Sequence, residues 1–301
     1  MRNFVPTLLL TLLQLVLAVW FLSPGEGRAG ELDLEGSAQI ELRVFPGPRS
    51  YAGQEKSLLS PSLVLAPEVI YETAAGDDRF TFSPYYRFDA HDPERTHWDV
   101  REAIWLRQGD DWHLQAGFGK VFWGVTESVH LVDIINQTDA VEDSDGEDKL
   151  GQPMINYGLE GDLGALGLFV LPGFRERTFP GSEARLRGTF PIDADGATYD
   201  SSSEELHVDF AARWSGVIDN LDFGISHFHG TSREPRFNSV INGGQKFLLP
   251  HYDQIDQTGL DAQFTIGPWL WKLEAMTRSG HGRRFAAGVG GVEYTLFQIV
   301  G

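Results

Sequence analysis

The sequence predicts an all-β fold, an antiparallel up-and-down transmembrane β-barrel of about 12 or more strands. Three observations carry that expectation: an export-type amino terminus, segments that alternate apolar and polar residues, and connections that alternate short and long.

The amino terminus comes first. Arg2 precedes a run from Leu8 to Leu22 that is apolar except for Thr11 and Gln14, and Ser23-Pro24-Gly25 breaks it. A charged start, a short apolar stretch and a break are the parts of a secretory signal peptide, and Gly27-Arg28-Ala29 supplies small residues for cleavage after Ala29. The run is about 15 residues, short of the roughly 20 that a spanning helix needs. Residues 1–29 are therefore read as a cleaved signal and 30–301 as the barrel.

The strands follow in order. In 79–89, Phe80, Phe82, Pro84, Tyr86 and Phe88 share one face, while Arg79, Thr81, Ser83, Tyr85, Arg87 and Asp89 share the other. Segments 112–118, 206–215, 221–226, 260–266 and 269–278 divide in the same way, and 36–45, 61–72, 96–106, 153–160, 163–171 and 284–298 do so less regularly. Many run about ten residues, enough to cross a bilayer at a tilt of about 45°. Strands of soluble sheets are usually nearer five or six residues.

Connections at 74–78, 108–111, 161–162, 216–219 and 267–268 are short and rich in turn residues, whereas 46–60, 122–152, 173–204 and 230–254 are long and polar. A meander with its long loops on one side has this asymmetry, as outer-membrane barrels do. Trp98, Trp112, Trp214, Trp269, Trp271 and Tyr86 are then expected at the membrane interfaces. The last residues, Ile299-Val300-Gly301, lack the terminal aromatic such barrels commonly carry, so an incomplete barrel stands beside the closed one as an expectation.

Composition bounds the chemistry. With no Cys, thiolate metal sites and thiol nucleophiles are excluded, and a net charge of −19 without clustered Lys and Arg excludes nucleic-acid partners. An outward Arg or Lys would cost about 2–4 kcal/mol at mid-membrane. Arg79, Arg87, Lys120, Arg213, Lys272 and Arg278 are therefore expected to line the lumen with Asp89, Asp209, Asp222, Asp261 and Glu274.

The 122–152 loop, expected outside and facing solvent or lipopolysaccharide, offers Asp143, Asp145, Glu147 and Asp148 as weak Ca²⁺ ligands. The calcium-loop spacing fails, because aligning Gly146 puts Val141 first, and no cofactor is expected beyond a loosely held ion. Ser226, His227, His229 and Ser232 do not make a hydrolase: adjacent strand residues point to opposite faces, and no Gly-x-Ser-x-Gly elbow occurs.

Phe118-Gly119-Lys120-Val121-Phe122-Trp123-Gly124, followed by Asp133-Ile134-Ile135-Asn136-Gln137-Thr138-Asp139, resembles a family of proteobacterial outer-membrane proteins of the DUF1302 type, with Gln137 in place of a proline. The resemblance covers about 40 residues. It implies a barrel for apolar or lipid-like solutes and supplies no catalytic residue. The function expected is passive or facilitated passage of solutes across the outer membrane. Outer-membrane lipid, lipopolysaccharide and the barrel-assembly machinery are its expected partners. A non-conducting barrel and a soluble periplasmic all-β binding module are the alternatives.

Overall fold

The computed structural model describes residues 30–296, so the signal segment and residues 297–301 lie outside what is described. The wall is made by β1 (Glu31–Val44), β2 (Leu59–Glu72), β3 (Asp78–Asp89), β4 (His97–Gln108), β5 (Trp112–Gly119), β6 (Gln152–Gly161), β7 (Gly164–Pro172), β9 (Val208–Ile218), β10 (Leu221–Thr231), β13 (Gln254–Ile266), β14 (Trp269–Ser279) and β15 (Phe285–Tyr294). These form one 12-stranded antiparallel sheet in chain order. Each expected strand is present. The remaining three, β8 (Thr198–Tyr199), β11 (Arg236–Asn242) and β12 (Gln245–Tyr252), make a small sheet within the long loops.

Alternation sets which way each side chain points. On β1 the outward series is Leu32, Leu34, Ala38, Ile40, Leu42 and Val44, and Glu31, Asp33, Glu35, Gln39, Glu41 and Arg43 take the other face. On β14 the aromatic rings of Trp269 and Trp271 face out beside Leu273, while Lys272, Glu274 and Arg278 face in. The polarity is inverted relative to a soluble protein: Phe210 is 51% exposed and Trp271 52%, whereas Asp209 and Glu274 are both 0% exposed.

The sheet is rolled about this charged face. Residues of one segment, 120–151, bond to Arg43 on β1 and to Glu274 on β14, strands at opposite ends of the sheet order. Among the described residues β1 and β15 share no ladder.

Connections alternate as the sequence indicates. Turns at 73–77, 109–111, 162–163, 219–220 and 267–268 lie at one end, and the loops at 45–58, 90–96, 120–151, 173–207, 232–253 and 280–284 at the other. Rings gather at the turn end, where Trp269 lies 6.2 Å from Trp271 and 4.6 Å from Tyr294, and Trp112 lies 6.2 Å from Tyr157. Nearby, the Trp214 indole N–H donates to Leu163 O at 2.9 Å.

At the other end the loops pack on one another. Arg187 donates to Ala52 O (2.8 Å) and Arg185 to Gly47 O (2.9 Å), which holds 173–207 against 45–58.

The sequence expectation is corrected at one loop. Much of 122–152 does not stand outside but folds into the interior, with Val132, Ile135, Gln137 and Asp139 all 0% exposed, while Asp143, Asp145, Glu147 and Asp148 stay exposed. The cause is burial of apolar side chains. Trp123, Val132, Ile134 and Ile135 close a core with Met154, Phe169, Leu171, Ala211, Phe228 and Ile255, which project inward from β6, β7, β9, β10 and β13. Each such side chain contributes about 1.5–3 kcal/mol when fully buried.

Candidate functional site

The interior is divided by this inward loop, and three anchors hold it. At its start, Asn136 ties the two loop ends together: its amide donates to Gly119 O and Leu150 O (both 2.9 Å), and its oxygen accepts from Val121 N–H (2.8 Å). Trp123 meets the Phe169 ring edge-on at 5.5 Å, and Asp133 bridges the Trp123 N–H to the Lys149 ammonium (3.1 Å). The segment that carried the family resemblance is thus the device that turns the loop inward.

Glu274 is the second anchor. Its buried carboxylate accepts from Val125 N–H (2.8 Å), Thr126 N–H (3.0 Å), Thr126 Oγ1 (2.7 Å) and Val132 N–H (3.3 Å). Gly124 makes this approach possible: its φ is +138°, and a Cβ there would lie 2.7 Å from Glu274 Oε1. Removing the acceptor would strand buried donors, each at about 1–3 kcal/mol.

The third anchor is an ion network against β1, β3 and β4. Arg87 bonds Glu41 (2.7 Å) and Glu142 (2.6 Å), Arg95 bonds Asp89 (2.7 Å) and Glu41 (2.9 Å), and Arg101 bonds Asp139 (2.6 Å) under the Tyr85 ring. Arg101 reaches this network because the ladder shifts register between Ser83 and Pro84, leaving it the extra residue of a β-bulge.

The sequence-selected lumen residues separate into two groups. Arg87, Asp89, Asp209, Asp261, Glu274 and Arg278 are buried on the inward face, all but Glu274 in ion pairs and Glu274 among loop N–H and hydroxyl donors. Arg213 joins them, forking onto Asp261 at 2.6 and 2.8 Å. Gly224 leaves space for that fork, since a Cβ there would lie 2.2 Å from Arg213 Nη2. Asp209 holds Arg233 (2.7 Å) and the Thr231 N–H (2.9 Å), and Arg278 reaches Gln257 (2.7 Å) and Glu234 (2.5 Å). Arg79, Lys120 and Asp222 are exposed, and Lys272 is half-buried between Glu127 and Glu293.

Sequence reasoning did not select Glu41, Arg95, Asp99 or Arg101 for the lumen. Glu41 and Asp99 had the alternation as a signal; Arg95 lies in a loop and Arg101 at the bulge, where alternation gives none.

Asp143, Asp145, Glu147 and Asp148 are exposed and point to separate partners: Asp143 toward Arg43 (3.5 Å), Asp145 to the Glu147 N–H (3.1 Å) and Glu147 to His130 (3.1 Å). The groups of carboxylates and imidazoles that converge among the described residues are His97 with Asp139 and Glu142, and Asp200 with His251 and Asp253. Ser226 faces the interior and His227 the exterior, as strand alternation requires.

Beside the inward loop an open cavity of about 770 Å³ remains, lined by Phe122, Thr126, Glu127, His130, Asp145, Glu147 and Gln263, among others. A second, of about 220 Å³, lies among the packed outer loops between Arg43, Arg95 and Arg185.

A wall of wall-to-wall antiparallel strands with apolar residues outside and paired charges inside defines the membrane-spanning β-barrel class, because lipid accepts only backbone that is hydrogen-bonded within the protein. No protein-family model matches the chain, and no curated protein sequence matches it. Among solved structures it aligns with Pseudomonas putida OprB at 10% identity and TM-score 0.43, over 88% of this chain and 70% of that one. Alignment with OmpT, an outer membrane protein of Vibrio cholerae, gives 10% identity and TM-score 0.31 over 89% and 84% of the two chains. A mutant of Rh. blastica porin gives 12% and 0.31 over 88% and 99%. The class assignment rests on the inverted polarity of the wall, not on these likenesses.

Proposed function

We propose that the chain is a porin-like conduit of the bacterial outer membrane, with a bore set by the inward loop, and that it is not an enzyme. One observation carries the reading: within an inside-out wall a loop is tethered across the interior, and an open cavity of about 770 Å³ lies between that loop and Gln263 of the wall. A loop fastened on both sides narrows the passage without closing it. The cavity's lining is mainly polar, which favours hydrated solutes over the apolar or lipid-like ones that the DUF1302-type resemblance implies. Outer-membrane lipid around the aromatic bands, lipopolysaccharide at the loop end and the assembly machinery during insertion are the partners that follow from this placement.

The test is conductance of the refolded full chain in planar bilayers, with swelling of proteoliposomes in a neutral sugar as a second readout. Stepwise channels and sugar entry are expected. A heat-modifiable, folded barrel that passes neither ions nor sugar would leave the fold and overturn the conduit.

A further inference from the structure

We propose that the conduit prefers cations, with its short-turn half acting as an acidic vestibule; this deepens the conduit reading and rests on it. The two halves of the interior differ in how their charges are disposed. Toward the loops, the arginines lie against carboxylates: Arg87 on Glu142, Arg95 on Asp89, Arg101 on Asp139 and Arg233 on Asp209, with Arg213 on Asp261 at mid-wall. A pair in contact presents little field a few ångströms away, so this half discriminates weakly by charge.

Toward the short turns the balance is acidic. Strand alternation directs Glu31, Asp33 and Glu35 of β1, Glu68 of β2, Glu102 of β4 and Asp222 of β10 inward. Arg79 and Lys272 oppose them there, and Lys272 is already held by Glu127 and Glu293.

The ladder adds an independent sign. Glu31 stands directly across from Glu72, which has Arg79 on its other side, and Glu35 stands directly across from Glu68, which among the described residues only the Ser83 hydroxyl meets from β3. Like charges at facing positions destabilise a sheet, so the wall carries a local cost that mobile cations in the vestibule relieve. The cavity beside the inward loop adjoins this half: Gln263 on its wall pairs with both Asp222 and Lys272, and Glu127, Asp145 and Glu147 lie along it. Rings and rows of carboxylates of this kind give cation channels their preference.

The experiment measures the zero-current potential of the full chain in planar bilayers across a KCl gradient. A several-fold preference for K⁺ over Cl⁻ is expected at low ionic strength, and it fades as the screening length shrinks from about 10 Å at 0.1 M to about 3 Å at 1 M. Glu31→Gln/Asp33→Asn/Glu35→Gln, all on the exposed part of β1, should lose most of the preference without loss of conductance. Lys272→Gln should increase it. A wild-type potential near zero or of anionic sign overturns the preference and leaves the conduit standing. An unchanged potential in the triple variant overturns the assignment to this vestibule. A folded barrel with neither conductance nor sugar entry overturns both readings.

Discussion

Glu274 shows how a single side chain sets the shape of the interior. Its carboxylate collects loop donors that lie more than 140 residues earlier in the chain, so alternation could place it inward but could not reveal its partners. Glu274→Gln keeps the volume and removes the charge and one acceptor oxygen. The loop should loosen on the β14 side, seen as larger and noisier single-channel currents from a barrel that still runs as a folded, heat-modifiable band. Asp261 poses the opposite case, a purely structural pair. Asp261→Asn leaves the Arg213 guanidinium without its counter-charge, at about 3–5 kcal/mol by analogy with broken buried pairs. A lowered urea midpoint in detergent, with conductance unchanged, is the expected outcome.

Among elements, the regular strands were the legible part. Phe80 to Phe88 alternate without a break, and β3 is found at 78–89 against the expected 79–89. Strand β4 was less legible for a physical reason: the bulge at Arg101 reverses the parity of its inward face, from His97 and Asp99 above it to Glu102 and Ile104 below. The inward loop was not legible at all, because its polar residues satisfy partners on distant strands and its few apolar ones need the barrel interior to pack against.

The outward face can be tested by depth. Leu168→Arg on β7, 45% exposed on the wall's apolar side, should cost about 2–4 kcal/mol of folding into phospholipid vesicles. The outer loops carry a pH dependence of definite sign. Burial holds His281 below the ordinary imidazole range, opposed by Asp253 and Glu234 and reinforced by Arg278 and Arg236. The folded loop therefore favours the neutral ring. Its stability is full above the ordinary histidine value and falls as pH drops through that value toward the lowered one. Amide protection over 232–253 and 280–284, taken relative to the intrinsic exchange rate at each pH, should fall between neutral and mildly acidic pH, and His281→Asn should abolish the step.

For the whole molecule, next-neighbour topology means that each wall strand can be added to the one before it, with the long loops at 120–151, 173–207 and 232–253 delaying the next pairing. Lipid offers no water to the free edges of β1 and β15, so in the membrane their N–H and C=O groups have to be met by strand partners. A barrel so satisfied resists detergent until heated. The band of the full chain should therefore shift on boiling, and a water-soluble monomer without such a shift would contradict a membrane wall.

The fastening of the inward loop has a consequence in time. Its holds belong to strands far apart in the wall: Arg87 on β3, and Glu274 on β14, next to the last strand of the sheet order. The wall can thus be assembled around a loop secured on one side alone, and the second hold arrives as the far strands are added. Insertion should pass through a wide-bored intermediate that narrows at the end, visible as a decline in conductance while refolding goes to completion.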